Sequence, residues 1–554
     1  MTCSSSARAV ALAELFLASR KGLFSACYNE DGMILCEKRS RRFIGPLLLA
    51  LLSPLSALSQ ATGEHELSHQ ERFAPAAKSM EKAESDLTAK LAADRKDASL
   101  LSSRGLLRLQ LNRGPEGIAD LRMATEIAPA NAQLHINLAY GLLLNQKPEE
   151  CIAEARKALA LEDKSYAAHA LLGRALIASG GDSKEAIEHL QKSLELFPDQ
   201  TDLRFELVDA LRKQKDFPAA GVQLRILKDQ LPPGDARLEY AQGQLSADLG
   251  YPEAAAASFR RALQSNPSSL TIRQDFGAAL VRLGKWNEAA SVLGPLALAK
   301  PNSYPVAYMN ALALQNSQHS KEAESEARRA LVLDSDSADA HTLLGITLSS
   351  QGRFDEAISE LSRAGELDPN SFDAELYLGR SRYARSDTAG AAAALRKAVS
   401  LRPQDADARF LLGTVLEVSG DQDGALAQYQ ELQRISPNDP RGYVGLGGIL
   451  GKTGKNEEAL VQLRKARELD PANFETNMAL GRLQAKMGNL EESIRYLQEA
   501  AKQSPLSPEV HYQLALSLQR AGRKAEAAKE FAEVDRLNRE RRSAAGMGMD
   551  SPKP

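Results

Sequence analysis

The stretch GKNEEALVQLRKARELDP, residues 454–471, recurs 34 residues later as GNLEESIRYLQEAAKQSP, residues 488–505. Both copies begin with Gly, carry a small residue five positions later and end on Pro. Residues that favour helices dominate both copies, and Pro ends a helix because it lacks an amide hydrogen. A fixed period of this length predicts a chain built from stacked copies of one helical unit.

The same period extends over most of the 554 residues. Prolines that we call anchors lie 34 or 35 residues apart, or twice that distance: Pro129, Pro198, Pro232, Pro267, Pro301, Pro369, Pro403, Pro437, Pro471 and Pro505. Ten residues after the anchor position stands a small residue in almost every copy: Gly105, Ala139, Gly173, Gly277, Ala311, Gly345, Gly379, Gly413, Gly447, Gly481 and Ala515. Val208 departs from this rule and predicts looser packing near the fourth copy. Small residues at this position let two helices cross closely.

Helix boundaries follow the same register. N-cap residues are predicted two positions after each anchor, at Asp97, Asn131, Ser165, Ser269, Ser303, Ser337, Ser371, Asp405, Asp439, Asn473 and Ser507. Glycines between the two helices of a copy predict tight turns at Gly250, Gly284, Gly352, Gly420, Gly454, Gly488 and Gly522.

This pattern resembles the tetratricopeptide repeat (TPR). The resemblance implies an all-α, right-handed superhelical solenoid of about thirteen helix-turn-helix repeats over residues 98–541. A linker and capping helix are predicted in residues 60–97, and a disordered tail in residues 542–554. One hairpin cannot bury its own apolar stripe, so stability must come from stacking neighbours.

The N-terminal region predicts export. A basic segment at residues 38–42 precedes an apolar run, Phe43–Leu58, and the small residues Ala57 and Ser59 predict cleavage before Gln60. This is the organisation of a secretory signal peptide. Residues 1–59 are therefore read as an N-terminal extension and signal peptide, with translation expected to start at Met33. We expect a periplasmic or outer-surface protein; the alternative is an inner-membrane anchor, if the signal is left uncleaved.

Charge and motifs argue against several functions. The net charge is −3 with well-mixed charges, which gives no indication of nucleic-acid binding. No catalytic or cofactor-binding motif is present, so we predict no enzymatic activity, no cofactor and no metal. Cys151 occupies a position where other repeats carry Ala and is expected to be a small core residue. His135, His169, His341 and His511 share one register and are expected to pack between helices.

The candidate binding residues follow from the resemblance. In TPR proteins the first helix of each repeat lines a concave groove. The groove positions here include Arg174, Phe205, Tyr240, Tyr308, Arg380, Phe410, Arg482 and Tyr512. Aromatic residues and Arg are enriched in the energetically dominant parts of protein interfaces.

Function is predicted as a class. The chain is expected to be a non-enzymatic scaffold of the cell envelope that binds a protein or peptide in the groove. The alternative is a regulatory or substrate-recruiting subunit of a separately encoded envelope enzyme. The partner, the pathway and the oligomeric state do not follow from the sequence.

Overall fold

The computed structural model describes residues 69–547, with side chains for residues 79–540, and each regular element in that range is an α-helix. The predicted N-terminal extension and signal peptide lie outside the described residues, as do residues 548–554 of the predicted tail. Helix α1 (His69–Ala93) lies where the capping helix is predicted. This all-α architecture confirms the predicted fold class.

The helices after α1 alternate as the first and second helices of successive repeats. They are α2 (Ala98–Gln110), α3 (Gly114–Ile127), α4 (Ala132–Leu144), α5 (Pro148–Leu161), α6 (Tyr166–Ser179), α7 (Ser183–Leu196), α8 (Thr201–Lys213), α9 (Phe217–Gln230), α10 (Ala236–Asp248), α11 (Pro252–Ser265), α12 (Leu270–Arg282), α13 (Trp286–Ala299), α14 (Tyr304–Asn316), α15 (Ser320–Leu333), α16 (Ala338–Ser350), α17 (Phe354–Leu367), α18 (Phe372–Ala384), α19 (Thr388–Leu401), α20 (Ala406–Ser419), α21 (Gln422–Ile435), α22 (Pro440–Lys452), α23 (Asn456–Leu469), α24 (Phe474–Met487), α25 (Leu490–Gln503), α26 (Pro508–Arg520) and α27 (Lys524–Met547). The last helix continues past the predicted boundary at residue 541, through residues such as Ala544 and Ala545 that favour helix.

The chain divides into two compact units. Unit 1 contains α1–α12 and ends at Gly284, and unit 2 begins at Lys285 and contains α13–α27. Within each unit, successive helices pack side by side as hairpins, and each hairpin packs on the next. The core of each unit is a seam of fully buried leucines between first and second helices, such as Leu190 and Leu207 in unit 1 and Leu361 and Leu395 in unit 2.

The helices of a hairpin cross where the sequence places its small residue. A methyl group built on Gly345 would lie 2.5 Å from Leu361 Cγ, and one built on Gly379 would lie 2.5 Å from Leu395 Cγ. No real Cβ approaches a buried carbon so closely, so only Gly permits this crossing. The same contact recurs between Gly173 and the side chain of Leu190.

The size of the two residues at the crossing is matched in most hairpins. Sixteen residues after the Gly, or seventeen after Gly173, stands a large residue, whereas the Ala at 139 and at 311 is followed by a second Ala. Ala515 is the exception, because Phe531 follows it. Ala155 and Ala327, the second members, are both fully buried. Tyr429 is larger still, and it lies between two glycines, Gly413 and Gly445. Val208 is only 2% exposed and lies in the core, but α8 and α9 contact each other less extensively than the two helices of the other hairpins within each unit, as the looser packing predicted there requires.

Turns and caps follow the predicted register. Nine of the predicted N-caps accept a backbone hydrogen bond through their side chains, and Ser303 and Ser507 do not. The predicted turn glycines all have positive φ. Where a repeat lacks this Gly, another residue adopts the left-handed conformation: Asn112, Gln146, Lys215, Gln318 and Ser386.

The histidines that share one register connect the anchor position, before the first helix, with the second helix of the same repeat. In three repeats the His Nδ1 lies 2.6 Å from a Glu carboxylate on the second helix, and the Nε2 donates to the carbonyl at the anchor position. The pairs are His135 with Glu154, His341 with Glu360, and His511 with Glu530. The structure therefore agrees with the interpretation that these residues pack between helices.

His169 differs from the other three because its partner is a second histidine. Its Nε2 donates to the carbonyl of Asp163 at 3.1 Å, and its Nδ1 lies 2.8 Å from the Nδ1 of His189. Two imidazolium rings cannot share that bond, because both nitrogens would carry hydrogen. Burial lowers the pKa of His169, and burial followed by the proximity of His169 lowers the pKa of His189.

The crossing contact can be tested with a double-mutant cycle at residues 345 and 361. Gly345→Ala is expected to lower the free energy of unfolding by about 1–3 kcal/mol through overpacking. Leu361→Ala in the same chain would reproduce the Ala–Ala crossing found at residues 139 and 311. The double variant should therefore lose less free energy of unfolding than the two single variants lose together. Equilibrium denaturation of the four chains measures this coupling.

Gly448→Ala is the control, because a methyl group there has no atom within 4 Å. It should not destabilise the helix, since Ala favours helix over Gly by about 1 kcal/mol. Additive effects at residues 345 and 361 would contradict the proposed contact.

Acidification should loosen the third repeat before the second. Because the pKa values of His169 and His189 are lowered in the folded state, these two residues bind protons in the unfolded chain before they do so in the folded chain. Their contribution to the free energy of unfolding is therefore complete above about pH 6.5 and is lost as the pH falls through their folded-state pKa values. Hydrogen exchange, corrected for intrinsic rate, should show protection in α6 and α7 falling more between pH 7 and pH 5 than in α4 and α5. His189→Glu, which copies the pair of His135 with Glu154, should remove the difference. Equal losses in both repeats of the unaltered chain would refute this assignment.

Candidate functional site

The first helices of consecutive repeats lie next to one another in each unit. Contacts join α4 to α6 and α8 to α10 in unit 1, and every successive pair from α14 to α26 in unit 2. Consecutive second helices are instead bridged by long charged side chains, as between Arg156 and Glu185. Within each unit the first helices therefore line the inner side of the stack, which is the face that carries the candidate residues.

In unit 1 the candidate residues are engaged by neighbouring first helices. Arg174 is only 14% exposed, and its Nε and Nη2 donate to the two carboxylate oxygens of Glu206 at 2.7 and 3.0 Å. The ring of Phe205 is half-buried, with the guanidinium carbon of Arg237 at 4.3 Å from its centroid. These side chains join first helices to one another rather than extending into solvent.

Tyr240 belongs to a polar network on the same face. Its hydroxyl donates to Asp275 Oδ2 at 2.7 Å and accepts from Gln244 Nε2 at 2.9 Å. Arg212 continues the network by donating to Gln244 Oε1 and Asp248 Oδ2, both at 2.7 Å. Burial raises the pKa of Asp275, and the hydrogen bond from Tyr240 partly offsets that effect.

Sequence reasoning missed this network although the signal was present. Its partners stand about one period apart, as Arg174 and Glu206 do, and Arg212 and Asp248. Opposite charges at neighbouring positions of consecutive first helices therefore indicate ion pairs between those helices.

In unit 2 three of the candidate residues are exposed. Arg380 lies on α18 with its guanidinium carbon 5.3 Å from the ring centroid of Tyr377, and no carboxylate within the described side chains forms an ion pair with it. Arg482 on α24 is 45% exposed and pairs with Glu509. Tyr512 on α26 is 45% exposed, and its ring packs edge-on against the ring of Phe531 with the two centroids 6.0 Å apart.

The remaining two candidates in unit 2 contribute mainly to packing. Tyr308 stacks on Tyr304 with ring centroids 6.0 Å apart, and burial raises its pKa to about 12. The rings of Phe410 and Tyr429 pack with their centroids 6.3 Å apart, and the guanidinium carbon of Arg441 lies 5.1 Å from the centroid of the Phe410 ring. The exposed part of the predicted groove is thus concentrated at Arg380, Arg482 and Tyr512.

The cysteine and the metal-ligating side chains among the described residues give no candidate metal centre. Burial raises the pKa of the Cys151 thiol to about 12, and the residue is fully buried in the core. Among the side chains described between residues 69 and 547, no three His, Cys, Asp or Glu are placed to share a metal ion. None of the helices in the same range combines the length and apolar character needed to cross a bilayer.

Comparison with known proteins identifies the repeat. A family model described as a tetratricopeptide repeat matches residues 178–236, 308–372, 376–440, 444–508 and 478–541, and a second tetratricopeptide repeat model matches residues 236–269. No curated protein matches the chain.

Several solved structures are similar to this chain. The crystal structure of the APC/C hetero-tetramer Cut9-Hcn1 is 14% identical over 81% of this chain and 94% of that chain, with a TM-score of 0.38. The structure of MamA is 26% identical over 29% and 94% of the two chains, with a TM-score of 0.28. YrrB, described as a TPR protein with an unusual peptide-binding site, is 24% identical over 32% and 92%, with a TM-score of 0.28.

These TM-scores are too low for the likenesses to bear on function. The matches to the family models cover more than half of the chain and agree with the periodic hairpins of both units. The chain therefore belongs to the tetratricopeptide repeat family.

Proposed function

We propose that the protein is a non-enzymatic interaction scaffold of the cell envelope that binds a protein or peptide across the first helices of unit 2. Repeats of this family bind peptides or proteins, which supports the general class. The observation that carries the specific proposal is the exposure of Arg380, Arg482 and Tyr512 on one face of unit 2, while Arg174 and Tyr240 in unit 1 are engaged within the fold.

Residue type and environment both support an interface here. Arg and Tyr dominate interface energetics because they combine apolar area with directional hydrogen bonds. Arg380 can form a new charged hydrogen bond without breaking an existing ion pair, whereas Arg482 would exchange Glu509 for a ligand carboxylate. A rigid hairpin holds each side chain, so binding does not require the backbone to become ordered.

Export is the second part of the proposal. It is supported by the basic head, apolar run and small-residue cleavage signal within residues 38–59. N-terminal sequencing of the protein from its native cell should give Gln60 as the first residue. Retention of the apolar run would instead favour the membrane-anchored form.

Charge reversal on the inner face should remove the native partner. Crosslinking followed by mass spectrometry in the native cell identifies the partner, and binding is then measured with purified components. Arg380→Glu combined with Arg482→Glu should weaken binding at least about tenfold, which corresponds to about 1.4 kcal/mol. Helicity and melting should be unchanged because both side chains are exposed.

The matched control is Lys321→Glu combined with Arg464→Glu. Both residues are exposed on second helices, α15 and α23, and the double change alters the net charge by the same amount. Equal loss of binding in the two double variants would show that net charge matters rather than the inner face. If the identified partner is an enzyme whose activity changes on binding, the chain acts as its regulatory or recruiting subunit.

A further inference from the structure

Acidic side chains form one row across the inner face of repeats 9–13, all within unit 2. Asp373, Asp407, Glu475 and Glu509 occupy equivalent positions in the first turns of α18, α20, α24 and α26, and all four are exposed. Arg441 takes this place in α22, where it bonds Asp407 and Asp439. We call these four carboxylates the acidic row.

Basic side chains form a second row on the same face. Arg380 and Arg482 stand seven residues after an acidic-row position, and Lys452, Lys486 and Arg520 stand eleven residues after the equivalent position of their helices. Seven and eleven residues are about two and three helical turns, so acidic and basic positions share one face of each first helix. All five are exposed, and we call them the basic row.

Apolar side chains form the middle row between the two charged rows. Leu376, Phe410, Val444, Met478 and Tyr512 each stand three residues after the acidic position of their helix. Met478 is 5% exposed, Tyr512 is 45% exposed, and the other three are half-buried. The face thus has an apolar floor with negative charge along one side and positive charge along the other.

Part of this charge remains available to a ligand. Arg482 pairs with Glu509, and Lys452 pairs with Glu417 at 2.7 Å. In the acidic row, Asp407 pairs with Arg441 at 2.7 Å, and Asp373 lies 3.9 Å from Arg402. Among the described side chains, Arg380, Arg520 and Glu475 form no ion pair. A partner carrying complementary charges would therefore gain new ion pairs at Arg380, Arg520 and Glu475, and would exchange ion-pair partners at the paired positions.

On the basis of the function proposed above, we propose that the inner face of repeats 9–13 binds an amphipathic α-helix whose two flanks carry opposite charge. The basic flank of that helix lies over the acidic row, its acidic flank lies over the basic row, and its apolar stripe packs on the middle row. Turning the helix end for end would exchange its flanks, so the charges also fix its direction.

The dimensions of the face fit a helix. Acidic and basic positions are separated along the first helix by about 10.5 Å where they stand seven residues apart and by about 16.5 Å where they stand eleven apart, so an α-helix about 10–12 Å in diameter with its side chains can lie between them. Neighbouring helices pack about 8–10 Å apart, and seven residues of helix rise about 10.5 Å. One apolar residue per heptad of the ligand can therefore meet the middle-row residue of each repeat except the twelfth, where Met478 is buried.

An extended peptide fits this face less well. Its side chains alternate left and right, so a strand reaching both charged rows would lay its backbone on the apolar middle row. Backbone amides and carbonyls there would lose water without gaining partners, which is unfavourable. A helix satisfies its backbone internally and presents apolar side chains to the floor.

Three synthetic helices test the charge arrangement. Each is a blocked 28-residue peptide of four heptads with the same leucine stripe. One carries Lys on one flank and Glu on the other, the second carries Lys on both flanks, and the third carries Glu on both. Fluorescence anisotropy with the full chain should give a dissociation constant at least tenfold lower for the mixed peptide than for either uniform peptide.

Variants of the chain show where the mixed peptide binds. Arg380→Glu combined with Arg520→Glu should weaken binding of the mixed peptide at least tenfold and strengthen binding of the all-Lys peptide. Lys321→Glu combined with Arg464→Glu, on second helices, should leave both unchanged. Equal affinities of the three peptides, or equal effects of the two double variants, would overturn the proposal. The proposed function would still stand if the native partner is lost on Arg380→Glu with Arg482→Glu.

Discussion

The close crossing of two helices within each hairpin is the contact on which the rest of the structure depends. Gly345 lies so near Leu361 that a methyl group would overlap it, and the same arrangement recurs at Gly379 and Leu395. This approach lets first and second helices bury one shared leucine seam, which no isolated hairpin could bury. The seam holds the backbones, so the residues on the inner face of the first helices are free to vary.

The two units use that freedom differently. In unit 1, Arg174, Arg212 and Tyr240 connect consecutive first helices through Glu206, Asp248 and Asp275. In unit 2 the corresponding face exposes Arg380 and Tyr512 beside the acidic row. A charged side chain that is already paired with a fixed neighbour must lose that pair to bind a ligand, so unit 2 is the more suitable surface for a partner.

Much of the fold could be predicted from the sequence because the period repeats local rules. Turn glycines such as Gly420 and caps such as Asp405 act within a few residues, and the structure confirms both. The size match between residues sixteen apart, as between Gly345 and Leu361, is also visible in the sequence. The left-handed residues Lys215 and Ser386 could not be read, since their side chains do not require that conformation and the surrounding hairpin imposes it.

The candidate site was predictable as a face but not as individual residues. Whether such an arginine is available to a ligand depends on the residue about 32 positions later, on the next first helix. Arg174 has Glu206 there and pairs with it, whereas Arg380 has no such partner and lies against Tyr377 of its own helix. The histidines show the same limit: their register predicted packing, but only the structure shows that His169 pairs with His189 rather than with a carboxylate.

Removal of one period tests most directly the claim that interchangeable hairpins contact only their neighbours. Deleting residues 454–487 joins Thr453 to Gly488 and places Leu497 opposite Gly447, where Leu463 now lies. Circular dichroism should show unchanged helicity per residue, and denaturation should remain cooperative. A deletion whose length is not a multiple of the period is the control. The account would be contradicted if removing residues 454–487 cost more helicity than those 34 residues contribute, and if the control deletion cost no more helicity than that.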